Sequence, residues 1–430
     1  MKDLQVLIVG AGIGGLQTAL ALAADGHIVT VLESVKEFLE VGAGIRVPPN
    51  STRLSLSWGV DLQSVLKETS LGNRFVDWHG THLLDCPFDD AHERYGASYY
   101  FIHRADLINA LVTAVKLHPL ITLHMNTAVV SYDLDLPHPA VRTSSGEHFT
   151  ADLIICADGI KSSARSALTG SNVQPLDTGD VAYRILVPAS SLLGDPDLRD
   201  LVTHPWATHW IGPEGHAVGY PLRGGQLYNV IIDVTHGTDL GAPIGGDEWR
   251  VEADNQCLME RFKEWCPQMR KLCALASTYL KWKLADFEQL ESWVHPSGQV
   301  ALLGDACHPM MPYMAQGAAQ ATEDAATLAA ALRTHTSIPA ALDAYESQRK
   351  PRAAYVAANT RVLQQWWHLY DGPEKDRRDV LMRENSKENP MFWGWKERRD
   401  WLFGHDARHL GGVEIPELPS MPRESVYENS

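Results

Sequence analysis

The chain has no Cys-x-x-Cys pair, and none of its six cysteines (Cys86, Cys156, Cys257, Cys266, Cys273, Cys307) stands at metal-ligand spacing with a histidine. That pattern points to reduced structural thiols in an intracellular protein rather than a zinc site or a disulfide scaffold. Positive charge is also in deficit. Lys and Arg number 37 against 53 Asp and Glu, a formal charge of −16 with the basic residues scattered, which argues against a nucleic-acid or anionic-membrane partner. No apolar run reaches the roughly 18 residues needed to span a bilayer. The chain starts on its first strand, so no signal peptide is expected, and Glu428-Asn-Ser430 is no targeting tripeptide. The expectation is a soluble cytoplasmic protein. Its 430 residues, 45% of them hydrophobic, are enough for two or three domains.

What is present is concentrated first in Gln5-Val-Leu-Ile-Val-Gly-Ala-Gly-Ile-Gly-Gly-Leu16. An apolar strand runs into Gly10, Gly12 and Gly15, and a helix-forming run follows to Ala24, which is the Gly-x-Gly-x-x-Gly fingerprint in its strand–turn–helix setting. Gly10 permits the tight turn, Gly12 lets backbone approach a pyrophosphate, and Gly15 lets helix and strand pack closely. The free N–H groups at the helix start favour an anion. A second strand, Ile28 to Leu32, ends in Glu33, whose carboxylate suits a ribose 2′-hydroxyl and repels a 2′-phosphate. An adenine dinucleotide is the expected ligand.

Further along, Val41-Gly-Ala-Gly-Ile-Arg-Val-Pro-Pro-Asn50 carries Arg46 as its only charge, either a cofactor or substrate contact or a surface salt bridge. Arg104 stands where the aromatic strand Tyr99 to His103 meets a helix, a place for a phosphate or ribityl contact or else a helix-terminal ion pair. Residues 121–130 and 141–150 read as β-meander. The buried strand 151–157 then delivers Asp158-Gly159 to a loop suited to bound cofactor. From Val181 to about Val234 period-two alternation and hairpin signals predict an inserted, mostly antiparallel sheet. There His216, Val218 and Tyr220 share one face, as a pocket wall or as satisfied core groups. A helical stretch is expected over 247–275. The strand before Gly304-Asp305 leads through a proline-containing loop into an Ala-rich helix near Gln316, whose positive end suits negative charge on a reduced flavin.

Taken in order, Gly10 to Gly15, Glu33, Arg104, Ala157-Asp158-Gly159 and Leu303-Gly-Asp-Ala-Cys-His-Pro-Met-Met-Pro-Tyr-Met-Ala-Gln-Gly-Ala318 resemble the single-component FAD-dependent aromatic hydroxylases. The salicylate hydroxylase and 6-hydroxynicotinate 3-monooxygenase branch, with its fungal members, is the nearest likeness, over about residues 4 to 365. The resemblance implies an α/β fold of p-hydroxybenzoate hydroxylase type. Its Rossmann-like FAD-binding domain would be discontinuous (1–75, 98–177, 285–350). A substrate-binding β-sheet domain (76–97 and 178–284), a C-terminal helical region (351–415) and a disordered tail (416–430) would complete it. It implies that Gly10, Gly12 and Gly15 hold the FAD pyrophosphate and Glu33 the adenosine ribose. Arg46 and Arg104 would contact the phosphate and ribityl region, with Asp158 and Gly159 near pyrophosphate and incoming nicotinamide. Asp305 would bind ribityl, with Gly317 and Ala318 beside the isoalloxazine.

The implied reaction uses NAD(P)H and O2 to hydroxylate an electron-rich, phenolic or hydroxybenzoate-like ring through a flavin C4a-hydroperoxide, with no metal and no membrane or nucleic-acid partner. The protein would be a monomer or homodimer. Arg184, His216, Tyr220 and Tyr313 match catalytic or substrate-orienting positions of relatives, but Tyr313 replaces a histidine of the 6-hydroxynicotinate branch, and a phenol is the poorer base at pH 7. An epoxidase, indole or dearomatising oxygenase of the same fold is the alternative. A non-catalytic FAD-binding protein is the reading from a different class. A halogenase is disfavoured because no Trp-x-Trp-x-Ile-Pro run occurs.

Overall fold

Runs that are mostly apolar need both faces covered, and such runs build the centre of one five-stranded parallel sheet. The computed structural model describes residues 1, 3–38, 44–135, 137–171, 173–235 and 250–423. In it the strands Val300–Leu302, Leu153–Cys156, Gln5–Val9, Ile28–Leu32 and Ile121–His124 lie side by side in that order, all parallel. The register sets Val9 level with both Leu32 and Cys156, and Cys156 level with Leu302. Four strand ends therefore deliver Gly10, Glu33, Asp158 and Gly304-Asp305 to one edge, where α/β sheets bind ligands. The helices Ile13–Ala24 and Gly317–Thr334 pack on each other against this sheet and close the largest core cluster.

The second sheet has eight strands, in the order Arg250–Asp254, Thr278–Asp286, Leu176–Pro188, Leu227–Thr235, Gly215–Leu222, Trp206–Gly212, Gly72–Asp77 and His82–Pro87. Every pair is antiparallel except Trp206–Gly212 with Gly72–Asp77. A three-stranded sheet of Gly44–Val47, Tyr100–His103 and Lys67–Thr69 joins the two halves. Tyr220 packs its ring on the backbone of Gly44 and 4.8 Å from Phe101.

The observed elements correct several expectations. The boundary set at residue 76 cuts Gly72–Asp77, a strand that belongs wholly to the larger sheet because Trp206–Gly212 pairs along it. Ile121–His124 is not meander: its apolar residues align with Val29 and Val31, and only Val129–Asp133, Ala140–Thr143 and His148–Thr150 form the small antiparallel sheet. Within 247–275, residues 247–249 lie outside the described residues. Arg250–Asp254 is a strand paired with Thr278–Asp286, followed by two short helices, Gln256–Arg261 and Pro267–Cys273. The break at 350 falls inside the 30-residue helix Ile338–Trp367, which continues through Pro351 because buried Arg349 and Arg352 anchor it on both sides.

The tail is not disordered from 416. Residues 416–423 follow a defined path, with Ser420 O accepting from Trp366 Nε1 (2.8 Å), Glu417 O from the Tyr355 hydroxyl (3.3 Å), and Arg423 N–H donating to Glu374. Residues 424–430 lie outside the described residues. All six cysteines are free thiols, and no helix among the described residues is long and apolar enough to cross a membrane.

Candidate active site

The Gly-rich turn is built by close backbone approach. Gly10 N–H donates to Leu32 O, and φ at Gly10 is +99°, with a Cβ there only 2.4 Å from Ala157 O. A Cβ on Gly15 would stand 2.0 Å from Gly10 O, whereas one on Gly12 would meet nothing within 4 Å. The helix starting at Ile13 has no side-chain cap and no acidic residue in its first turn. Its free N–H groups open on a cavity of about 540 Å³ lined by Ala11, Gly12, Glu33 and Arg104. A second cavity of about 320 Å³ on the other side of the turn is lined by Glu33, Thr127, Asp158, Gly159 and Lys161. Glu33 accepts from Ala11 N (2.7 Å) and Val35 N (3.0 Å), so it shapes the turn as well as facing both cavities. Asp158 Oδ2 caps the helix Ser163–Thr169 through Ser163 N, and its buried Oδ1 has no partner.

Asp305 is exposed to a third cavity of about 270 Å³ although protein surrounds it. Burial raises its pKa, opposed by His308 and Arg104. The helix at Gly317 again starts without a side-chain cap or an acidic first turn. Arg104 lines both this cavity and the 540 Å³ one and has no hydrogen-bond partner among the described residues. Burial lowers its pKa and Asp305 opposes the shift. These features fit a flavin dinucleotide: a turn that a Cβ would fill, two uncapped helix ends, an unpaired cation between them and an unsatisfied carboxylate oxygen.

The third cavity gathers Gly317, Ala318 and Tyr313 with Arg46, Arg184, His216 and Tyr220, four groups from two sheets. The face expected from alternation is therefore a cavity wall. Arg46 lines this cavity together with Asp305 and Gly317, and is absent from the lining of the two at the Gly-rich turn. Its Nη1 lies 3.4 Å from Asn73 Oδ1 and 3.3 Å from His209 Nε2, so it faces the larger sheet rather than the cavities at the Gly-rich turn. Arg184 packs its guanidinium 4.9 Å from the Trp282 ring, and its buried Nε has no partner. Burial lowers its pKa, and Tyr220 and Asp233 oppose that. Tyr220 is pushed up to about 12 by burial, so it stays a neutral phenol.

From the cavity, which Asp233 lines with His216 and Tyr313, a buried polar chain runs inward through residues with no signal in the sequence, His368, Thr235 and Asp180. Asp233 Oδ2 is 3.2 Å from His216 Nε2, and His216 Nδ1 is 3.0 Å from His368 Nε2. His368 Nδ1 lies 3.1 Å from the Thr235 hydroxyl, which donates to Asp180 Oδ1 at 2.6 Å. Asp180 Oδ2 accepts from Tyr313 (2.7 Å) and from Gln364. Tyr313 is thus a hydrogen-bond donor tied to a carboxylate, not a free base. The one signal that could have found Asp233 is its register opposite His216. Asp180 sits at a register shift and His368 just past a long helix, positions without a local signature.

A family model described as "FAD binding domain" matches residues 3–360. The chain is 35% identical over 416 residues to the FAD-dependent monooxygenase atnJ of Arthrinium sp, covering 92% of this chain and 94% of the relative. It is 33% identical over 408 residues to the 3-hydroxybenzoate 6-hydroxylase of Klebsiella oxytoca, covering 92% and 98%. A solved salicylate hydroxylase–substrate complex superposes with a TM-score of 0.79 at 27% identity, over 97% of this chain and 99% of that one.

Proposed function

The chain belongs to the FAD binding domain family and is an FAD-dependent aromatic monooxygenase using NAD(P)H and O2; from that premise we propose that it hydroxylates a phenol or hydroxybenzoate bound as the anion. The pyrophosphate would lie along Gly10, Gly12 and Gly15, with the adenosine ribose at Glu33 and Asp158-Gly159 beside the phosphates and the incoming nicotinamide. Arg104 and Asp305 would take the phosphate-to-ribityl stretch, and Gly317 and Ala318 the edge of the ring system. Bound FAD supplies the redox chemistry, hydride acceptance from NAD(P)H and O2 activation for transfer of one oxygen atom.

The chain's own residues prepare the substrate. Arg184 carries the reading: a buried guanidinium with an unpaired Nε on the cavity wall is a receptor for an anionic oxygen. Charge left on a phenolic oxygen there enriches the ring for attack. His216, Tyr220, Tyr313 and Trp367 line the cavity with rings that keep water out. Arg46 would face ring or substrate rather than phosphate.

The test is NAD(P)H oxidation by the FAD-loaded protein with phenols, hydroxybenzoates, hydroxypyridines and indoles, with peroxide assayed in parallel. Strong stimulation by a phenolic acid with little peroxide is expected; stimulation only by uncharged indoles would overturn the reading. Arg184→Met should raise KM for that substrate about 10- to 100-fold, matching the ~1.5–3 kcal/mol of a hydrogen bond to a charged group. The flavin absorbance should be unchanged. An unaltered KM removes Arg184 from substrate binding.

A further inference from the structure

We propose that Asp233 is the proton-accepting group of the substrate cavity, held as a neutral carboxylic acid, and that His216, His368 and Thr235 relay its proton to Asp180. This deepens the monooxygenase reading and rests on it for the identity of the proton's source.

The polarity of the chain follows from counting donors. Asp180 receives three, the hydroxyls of Thr235 and Tyr313 and the amide of Gln364, so it is the acceptor end. Thr235 spends its only proton on Asp180, and its oxygen must therefore accept from His368 Nδ1–H. A neutral His368 then has a bare Nε2, which must accept from His216 Nδ1–H. His216 Nε2 is then bare in turn, and Asp233 Oδ2 stands 3.2 Å from it. Two bare acceptors cannot face each other in a buried site, so Asp233 supplies the proton.

The electrostatics agree with this count. Burial holds His216 well below its ordinary pKa, helped by His368, His209 and Arg46, and holds His368 at about 3, helped by Arg261. Both rings are neutral at pH 7. Asp233 is pushed up to about 8 by burial and by the Asp180 charge, against Arg184 and Arg46. Asp180 rises only to about 6: burial raises it, while its three hydrogen-bond donors and Arg361 hold it down. One carboxyl is protonated and the other ionised, at opposite ends of one chain.

The transfer balances. A substrate O–H bond breaks and its proton joins Asp233 as the carboxyl's own proton passes to His216 Nε2. The Nδ1 proton of His216 moves to His368 Nε2, that of His368 Nδ1 to Thr235, and the Thr235 hydroxyl proton to Asp180 Oδ1. The net result moves one proton from substrate to Asp180 and one negative charge from Asp180 to the substrate oxygen, beside Arg184. The reverse shift resets the chain. Asp233 is the catalytic residue here; His368, Thr235 and Asp180 act through it.

Two measurements on the FAD-loaded protein need no substrate. Infrared difference spectra at pH 7 should show a protonated-carboxyl band lost in Asp233→Asn, and 15N NMR should find His216 and His368 both carrying their proton on Nδ1. Loss of only a carboxylate band in Asp233→Asn, or an Nε2–H tautomer at either ring, overturns the proposal, whatever the phenol panel gives. With a phenol that turns over, Thr235→Val should slow coupled hydroxylation about 100-fold, as for loss of general base action. It should also erase an acid limb near pH 6, below which Asp180 is already protonated and accepts nothing. Thr235→Ser should restore both. A Thr235→Val pH profile parallel to wild type would reduce the chain to a structural role.

Discussion

Gly15→Val should yield a protein that elutes colourless from gel filtration, with no flavin bound and a lowered melting temperature. The first atom of any side chain at 15 would stand 2.0 Å from Gly10 O and 3.1 Å from Gly10 C, and both obstacles are backbone. Relief requires the turn at Gly10 to open, and Gly10 is itself tied to Leu32 O and wedged against Ala157. Overpacking of this kind costs about 1–3 kcal/mol even where flexible groups can yield, and none can here. The helix start would then move away from the cavity its N–H groups face, and the anion site would go with it. Gly12→Ala separates the two effects. A Cβ at 12 meets nothing within 4 Å, so the variant should melt like wild type yet bind FAD more weakly, because the methyl occupies the space assigned to the pyrophosphate. Flavin-to-protein absorbance ratios and thermal melts read both outcomes. Wild-type FAD affinity in Gly12→Ala would place the phosphates elsewhere.

The parts of the fold that were legible in sequence are those whose signal is local. The strand–turn–helix at Gly10, the strand ends at Glu33, Asp158 and Asp305, and the shared face of His216 and Tyr220 each rest on periodicity over fewer than about twenty residues. What stayed hidden depends on which segments meet. Arg46 sits in a Gly-rich run that could turn either way, and the partners that turn it, Asn73 and His209, come from two strands far along the chain. Asp180, Asp233, Thr235 and His368 are ordinary polar residues until two strands and a helix end bring them together. The tail was misread for a similar reason. Its composition is polar, but the indole N–H of Trp366 and the hydroxyl of Tyr355 need acceptors, and the carbonyls of Ser420 and Glu417 supply them.

Glu323→Ala should cost the protein about 3–5 kcal/mol, the usual result of removing one member of a buried ion-pair network and leaving the others uncompensated. Glu323 is fully buried and bonds Arg349 Nη1 (2.6 Å), Arg352 Nε (2.7 Å) and Arg352 Nη2 (2.9 Å), and it also accepts from Asn50 Nδ2 (2.7 Å). Asp324 beside it takes Arg349 Nε (2.7 Å), His308 Nε2 (2.6 Å) and Gly304 N–H (3.0 Å). Arg352 in turn donates to Leu402 O and lies 4.1 Å from the Trp401 ring, so one cluster ties the loop bearing Asp305, two long helices and the C-terminal region together. Without Glu323, Arg349 keeps Asp324, while the buried Arg352 guanidinium keeps only the backbone carbonyls of Trp401 and Leu402.

The pH dependence gives a sharper test than the loss itself. Burial pushes both carboxyls up, but Arg352 and Arg349 at Glu323, and His308 and Arg349 at Asp324, outweigh it and hold both below their ordinary values. A depressed folded-state pKa adds stability that is present above the unfolded-state value of about 4.3 for Glu, and that is lost as pH falls through the folded one. The wild-type advantage over Glu323→Ala, read from urea midpoints at pH 7, 5 and 3, should therefore be full at the first two and begin to shrink at the third. A gap that stays constant to pH 3 would assign the loss to the cavity left by the side chain. The charge pairing would then add little to what packing alone provides.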